Sequence, residues 1–404
     1  MLRLGPFTLV DPFSPWHGGS VILEFGSDGL RDLQPVTEPG LAYISAGWVE
    51  LLSWTSQPAI GTAEPWWAWA ERVRRGGFTQ VGLSGWTGWY QPEVLAEVRL
   101  ATHSLPVQVH LYAAWADAEG HLAPLQSLAE AGADGWTLPP LQSFPWDTFR
   151  RALPYLRYLG KPLFVLPFWK EAGGEVGVPL SPTLALAGWE GIPAYAESIA
   201  IYALGQFRKV YGGPLSVGPI TTSEGLAEAQ RQQLQAFTAV PYIVKEDTAV
   251  ATYDPIWKLH PPLRTAADRE MLWQALRKKE LAVVAAWDYA PPAEQKLHPW
   301  GEASVGCPTL EVAAPLLWSQ LDPAQPLLER LTSLVSWLSL APRRWLGLPL
   351  GCFQSGCALD FTVFRLLEVP RPLPAPWHTH QSALEVLGII RSLDDADSLR
   401  SRIL

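Results

Sequence analysis

Trp48-Val49-Glu50-Leu51-Leu52-Ser53-Trp54, then a helix-like stretch at 65–76, then Gly76-Gly77-Phe78-Thr79 running on to Leu83, set the rhythm that decides the fold. A short, almost continuously apolar run reads as a strand buried on both faces, the kind found in parallel sheets covered by helices. Working outward, the same unit recurs, with strands expected near 48–54, 78–83, 107–113, 134–138, 163–168, 214–220, 237–243 and 281–287. Helical patterns fall between them at 65–76, 92–103, 123–131, 146–159, 193–210, 223–235 and 267–279. Eight strands alternating with helices is the count of a (β/α)8 TIM barrel, so the fold class is α/β.

The flanks read differently. Residues 1–46 alternate short β-like runs with turns, at 6–10, 20–25 and 40–44. Thr265 is placed to cap the last barrel helix, with Asp268 three residues on favoured by the helix dipole. Two more helices are expected at 308–320 and 326–340, and after Pro342 short strands return, as in Leu359-Asp360-Phe361-Thr362-Val363-Phe364. The simplest organisation is a small composite β-sheet domain built from 1–46 and 346–404, beside a barrel at 47–345. Residues 366–380, with Pro370, Pro372, Pro374 and Pro376, read as a stiff extended connection.

Composition narrows the chemistry. Of 404 residues, 48% are hydrophobic and 17% charged, and the 38 Pro and 33 Gly stay below the share of roughly 25–30% that marks low-complexity chains. The net charge is −9 with no block of Lys or Arg, which excludes a phosphate-tracking surface and so nucleic acid. No apolar run reaches the roughly 18 residues of a membrane span, and the start Met1-Leu2-Arg3-Leu4-Gly5-Pro6 lacks a signal-peptide pattern, so a cytoplasmic protein is expected. Cys307, Cys352 and Cys357 have no CxxC spacing and read as buried thiols of a reducing compartment. There are 8 His and no Asn, so the polar toolkit is thin.

Chemistry in such barrels sits at the C-terminal ends of the strands. Those ends read Ser53-Trp54, Gly85-Trp86, Thr137-Leu138-Pro139, Pro167-Phe168-Trp169, Gly218-Pro219-Ile220, Pro241-Tyr242 and Trp287-Asp288-Tyr289, with His110, Tyr112 and Trp115 from the third strand. A hydrolytic metal needs three or four His, Cys or carboxylate ligands around one ion, and here Asp288 stands alone. Lys170-Glu171 reads as a solvated loop, and His378-Thr379-His380 as a surface loop in the Pro-rich connection. Trp54, Trp86, Trp136 and Trp169 read as ring volume filling the barrel mouth, since packed interiors tolerate few voids.

Tyr253-Asp254-Pro255-Ile256-Trp257-Lys258-Leu259-His260-Pro261-Pro262-Leu263-Arg264, followed by Asp268-Arg269 and by Ala285-Ala286-Trp287-Asp288-Tyr289-Ala290-Pro291, resembles the dihydroorotase signature of the amidohydrolase superfamily. Gly76-Gly77-Phe78-Thr79, Ala131-Gly132-Ala133-Asp134, the stretch from Gly191 to Glu197, the stretch from Ala341 to Leu348, Gly351, Gly356 and Ala358-Leu359-Asp360 agree in order and spacing. The resemblance implies a barrel of the amidohydrolase type, normally holding zinc. It also implies that the ligand positions are altered: the two strand-one His become Leu52 and Trp54, the bridging position falls near Leu138, and the strand-five and strand-six His become Pro167 and Pro219. The family's substrate-binding Arg and Asn become Ser56 and Gly85, the Asn before Pro-Pro-Leu-Arg becomes His260, and the last His pair becomes Tyr289 and Pro292.

On this resemblance Asp288 is the surviving member of the catalytic set, a relic, and His260 occupies a substrate-binding position where a hydrogen-bonded loop His is an equal reading. Leu, Trp and Pro offer no lone pair to zinc, so no metal and no cofactor is expected. Without it there is no Lewis acid and no activated water. The resemblance then implies a non-catalytic, dihydroorotase-like pseudoenzyme of pyrimidine biosynthesis, a homo- or hetero-oligomer partnered by aspartate carbamoyltransferase or another dihydroorotase chain. Two alternatives stay open: a cyclic-amide hydrolase or a repurposed metal-free activity using Asp288 with Tyr289, His260 or Lys170, and a small-molecule sensor with a Trp-lined pocket.

Overall fold

Trp48–Thr55, Phe78–Gly85, Gln108–Ala114 and Gly135–Thr137 form a parallel four-stranded sheet, and all but the last residue of the first of these strands is buried. The computed structural model describes residues 2–26, 28–57, 64–213, 215–350 and 353–403. A parallel bridge from Trp136 to Leu163 carries the sheet on to Phe164–Val165, Ser216–Val217 and Gln235–Ala236. The chain steps sideways at Phe237, so that Thr238–Ala239 pairs with Val284–Ala285 instead. The Trp54 N–H then donates to the Asp288 carbonyl at 2.8 Å, and the sheet has curled back to its first strand. Helices Trp66–Arg75, Pro92–Thr102, Leu125–Glu130, Trp146–Leu159, Tyr195–Tyr211, Ser223–Arg231 and Ala266–Arg277 cover it, matching the alternation read from the sequence.

Several boundaries differ from expectation. The seventh strand stops at Ala239, because Pro241 has no N–H to give a ladder and instead takes the second position of a short helix, Val240–Val244. Pro214, expected to open the sixth strand, lies outside the described residues, as do Gly351 and Cys352. Thr265 caps its helix as read, accepting from the Asp268 N–H at 3.3 Å.

Strands from both ends of the chain make one six-stranded sheet, in the order Gln381–Ile390, Phe361–Pro372, Ala42–Ala46, Leu2–Leu9, Ser20–Gly26, Gly29–Val36. Phe7, Val21, Phe25, Ile44, Phe361 and Val363 form its core, covered by Ala396, Leu399 and Ile403 of a terminal helix, Leu393–Ile403. The segment expected as a stiff connection is partly strand: Phe361–Pro372 runs through Pro370, and Pro372 lies opposite Gln381 after an irregularity in register.

The join between barrel and sheet is polar and buried. Arg343 is fully enclosed and donates to the Gly47 carbonyl at 3.0 and 2.8 Å, to Pro349 at 3.1 Å and to the Asp360 carboxylate at 2.6 Å. Ser339 adds a bond to Gly47 at 2.9 Å from a π-helical turn, Ser336–Leu340, set between helices Leu327–Val335 and Ala341–Trp345. Gly77 has φ of +84°, and a Cβ there would meet the Trp48 ring at 2.8 Å, so only glycine lets the second strand begin against Trp48. Among the described residues no helix is long and apolar enough to cross a membrane.

Candidate functional site

The strand ends converge on aromatic rings. Trp54 is buried and meets Trp86 edge to face at 6.1 Å and Trp287 at 5.9 Å. Trp86 stacks flat on Tyr289 with ring centres 3.9 Å apart, and Trp287 tilts against Phe237 at 6.4 Å. Trp136 is buried in the same core, whereas Trp169 is half-exposed. At the ends of the fourth and fifth strands, between Leu138 and Phe168, a void of about 20 Å³ remains, room for about one water molecule.

Asp288 is fully buried, and its carboxylate is spent on the protein itself. Arg72, from the helix Trp66–Arg75, grips it at 3.2 and 3.0 Å, while the Thr309 and Leu310 N–H groups donate to Oδ1 at 2.7 and 3.1 Å. Arg72 also pairs with Glu64 at 3.0 Å. Burial pulls the Arg72 pKa down, but the charges of Asp288 and Glu64 outweigh it and hold the guanidinium protonated. The partners of Asp288 are thus two backbone N–H groups and one ion pair. Sequence reading missed Arg72, because beside Arg74 and Arg75 it looks like part of a solvated helix end.

Glu50 was also missed, although a lone acid inside an apolar strand was the signal. It is fully buried and accepts from the Ala286 and Trp287 N–H groups at 2.6 and 3.2 Å. Those bonds hold Trp287 at φ +59°, a left-handed conformation rare for a bulky residue, directly before Asp288. Burial pushes the Glu50 carboxyl up to about 8, against the lowering effect of the two N–H groups.

His260 is buried with both ring nitrogens unpartnered among the described residues, edge-on to Phe168 at 4.6 Å, and burial with the nearby Arg264 charge holds its pKa down to about 3. Arg264 donates to the Ile192 carbonyl at 2.6 Å and to Thr221 at 3.3 Å, and Glu197 accepts from the backbone and hydroxyls of Thr221 and Thr222. Lys170 is exposed in a short turn, away from Asp288's partners. Cys307 is buried and burial raises its thiol, Cys357 is half-exposed, and His378 is exposed in its loop.

These two buried groups give a stability profile with a worked sign. Glu50 holds its proton in the folded chain between about 4.5 and 8 while the unfolded chain loses it, so its contribution falls as pH rises through that window. His260 stays neutral between about 6.5 and 3 while the unfolded chain gains a proton, so its contribution falls as pH falls. From 4.5 to 6.5 the slopes oppose. Glu50→Gln is therefore expected to remove a decline of about 1.4 kcal/mol per pH unit above 6.5, and His260→Phe a similar decline below 4.5, in urea denaturation followed from pH 4 to 8. Unchanged slopes in both variants would contradict the burial argument.

A zinc centre does not fit these residues. At the positions where the resemblance places ligands, Leu52, Trp54, Leu138, Pro167 and Pro219 are all buried and none carries a lone pair suited to zinc. Among the described residues, the group of His, Cys, Asp or Glu side chains close enough to share an ion is Asp117, Glu119 and His121, largely exposed in the loop after the third strand.

Comparison with known proteins bears on the fold and on sequence likeness. No family model matches the chain. A dihydroorotase of Pelotomaculum thermopropionicum is 27% identical over 321 residues, covering 76% of this chain and 74% of its own length. Dihydroorotases of Carboxydothermus hydrogenoformans and Listeria welshimeri are 30% and 31% identical, over 60% and 44% of this chain and 57% and 43% of their own lengths. Among solved structures, the L-hydantoinase of Arthrobacter aurescens superposes with a TM-score of 0.79 at 16% identity, covering 96% of this chain and 94% of that one. The D-hydantoinase of a Thermus species gives 0.75 at 14% identity, covering 97% and 94%. At those identities the likeness is one of fold, a TIM barrel with an added β-sheet domain. In sequence the chain is similar to dihydroorotases, and in fold to the hydantoinases.

Proposed function

We propose that this protein has given up metal-dependent ring opening and serves, in the cytoplasm, as a structural or regulatory partner in pyrimidine biosynthesis, assembling with aspartate carbamoyltransferase or with a dihydroorotase chain. The observation that carries the reading is the state of Asp288: it is fully buried, and both its oxygens accept from the protein, Oδ1 from Arg72 and two N–H groups and Oδ2 from Arg72. General base catalysis contributes about 10²–10⁴-fold, and only from a base within reach of the substrate proton. The rings packed at the strand ends support the same reading, since Trp54, Trp86, Trp287 and Tyr289 occupy that space with one another.

Support for assembly comes from the outer surface. Tyr155 and Tyr158 on Trp146–Leu159, and Tyr195, Ile199 and Tyr202 at helical spacing on the neighbouring Tyr195–Tyr211, are all exposed. Tyrosine-rich exposed patches mark protein interfaces more than open solvent. Mixed with aspartate carbamoyltransferase from the same organism, the protein is expected to co-elute as one complex in size-exclusion chromatography, and Tyr158→Glu with Tyr202→Glu to release it. A chain that elutes alone, and brings neither enzyme down from native cells, would remove the partner reading.

A further inference from the structure

A cleft lined by both rings and charges lies at the other end of the barrel. Where helix Ala266–Arg277 hands over to the eighth strand, this cleft of about 460 Å³ opens at the N-terminal ends of the strands. That volume falls within the roughly 300–1,000 Å³ of small-molecule sites.

Its floor is a pair of indoles. Trp273 and Trp337 are both buried, cross at 64° with ring centres 5.7 Å apart, and Trp273 is fixed by its N–H donating to the Ile243 carbonyl at 2.7 Å. Trp337 comes from the π-helical turn Ser336–Leu340, a conformation that inserts an extra residue into a helix and is frequent at functional sites. The polar lining is divided by charge. Arg277 and Lys279 come from the end of helix Ala266–Arg277 and the turn after it, and Asp322 and Glu329 from the segment that leads into and opens helix Leu327–Val335; Arg277 also pairs with Glu270 at 3.4 Å, so Lys279 is the cation of the lining without an ion pair among the described residues. Among the described residues Lys279 and Glu329 have no side-chain partner, and neither have the hydroxyls of Ser333 and Ser336; His17 is anchored to Thr332 at 3.2 Å while its Nδ1 is buried without a partner. Two cations and two carboxylates around one cleft cancel in net charge, so a ligand carrying only one sign meets as much repulsion as attraction. A ligand carrying both signs, spaced apart, satisfies both pairs.

We propose that this cleft binds an aromatic zwitterion of amino-acid size, its ring on Trp273 and Trp337, its carboxylate toward Arg277 and Lys279, and its ammonium toward Asp322 and Glu329. The site lies apart from the barrel mouth and holds whether or not the mouth retains activity.

Isothermal titration of the full-length protein with L-phenylalanine, L-tyrosine and L-tryptophan tests it, against 3-phenylpropionate and 2-phenylethylamine as single-charge analogues of phenylalanine. The expected result is saturable binding of one molecule per chain by at least one of the amino acids, with both analogues at least fivefold weaker than phenylalanine or silent. Arg277→Gln with Lys279→Gln is expected to weaken the amino acid at least tenfold and to strengthen 2-phenylethylamine, whose ammonium no longer meets the two cations. Ser336→Leu, which narrows the cleft without changing charge, should abolish binding while circular dichroism stays native. No saturable binding by any of the three amino acids, equal affinity for the analogues, or binding untouched by both variants would each overturn the proposal.

Discussion

Replacing Arg72 by methionine lowers the unfolding free energy by about 3–5 kcal/mol, the cost of leaving one member of a buried ion pair alone. Asp288 is fully buried and receives both Arg72 nitrogens, at 3.2 and 3.0 Å, so the variant strands a carboxylate with two backbone donors and no counter-charge. Methionine keeps much of the arginine stem's volume, which separates lost charge from lost packing. Asp288→Asn added to Arg72→Met is expected to recover a good part of the loss, because the amide oxygen still accepts from Thr309 and the charge is gone. Urea denaturation of the single and double variants measures both quantities. A loss under about 1 kcal/mol in the single variant would mean that Arg72 does not hold Asp288, and the carboxylate would again be a free base.

Trp54→Ala is expected to cost about 3–5 kcal/mol, the usual range for removing a large buried aromatic side chain. The ring lies at the centre of the filled mouth, edge-on to Trp86 and Trp287, and stands where the resemblance places a metal-binding His. Its removal opens a cavity lined by rings, and an apolar cavity of that kind takes up an aromatic molecule. Indole at millimolar concentration should raise the melting temperature of Trp54→Ala by several degrees and leave the parent protein unchanged. Among the described residues the buried indole N–H (Nε1) of Trp54 has no partner, so Trp54→Phe removes an unsatisfied donor and should cost markedly less. If Trp54→Ala melts with the parent, the mouth is not held together by its rings.

Most of the barrel was legible because its strands are buried on both faces and read as unbroken apolar runs, with Trp48–Thr55 the plainest. The cap at Thr265 was legible because it is local chemistry. What escaped reading depends on contacts far apart in sequence. The strand Gly29–Val36 carries Arg31 and Asp32 on a sheet edge and has no apolar alternation to signal it. Phe361–Pro372 runs into its prolines only because that end of the hairpin is exposed and irregular. At the site, Leu52, Trp54, Pro167 and Pro219 could be read as unfit for zinc from residue type alone. The grip of Arg72 on Asp288, 216 residues apart, could not, since nothing local distinguishes a buried arginine on a charged helix end; Glu50 stood out as a lone acid in an apolar strand, but its partners Ala286 and Trp287 lie far along the chain.

The most direct test of the central claim is dihydroorotate turnover by protein expressed with added zinc, with bound metal counted on the same sample. The account predicts less than a tenth of a zinc per chain and no ring opening above the buffer rate. Stoichiometric zinc together with turnover that Asp288→Ala abolishes would contradict it.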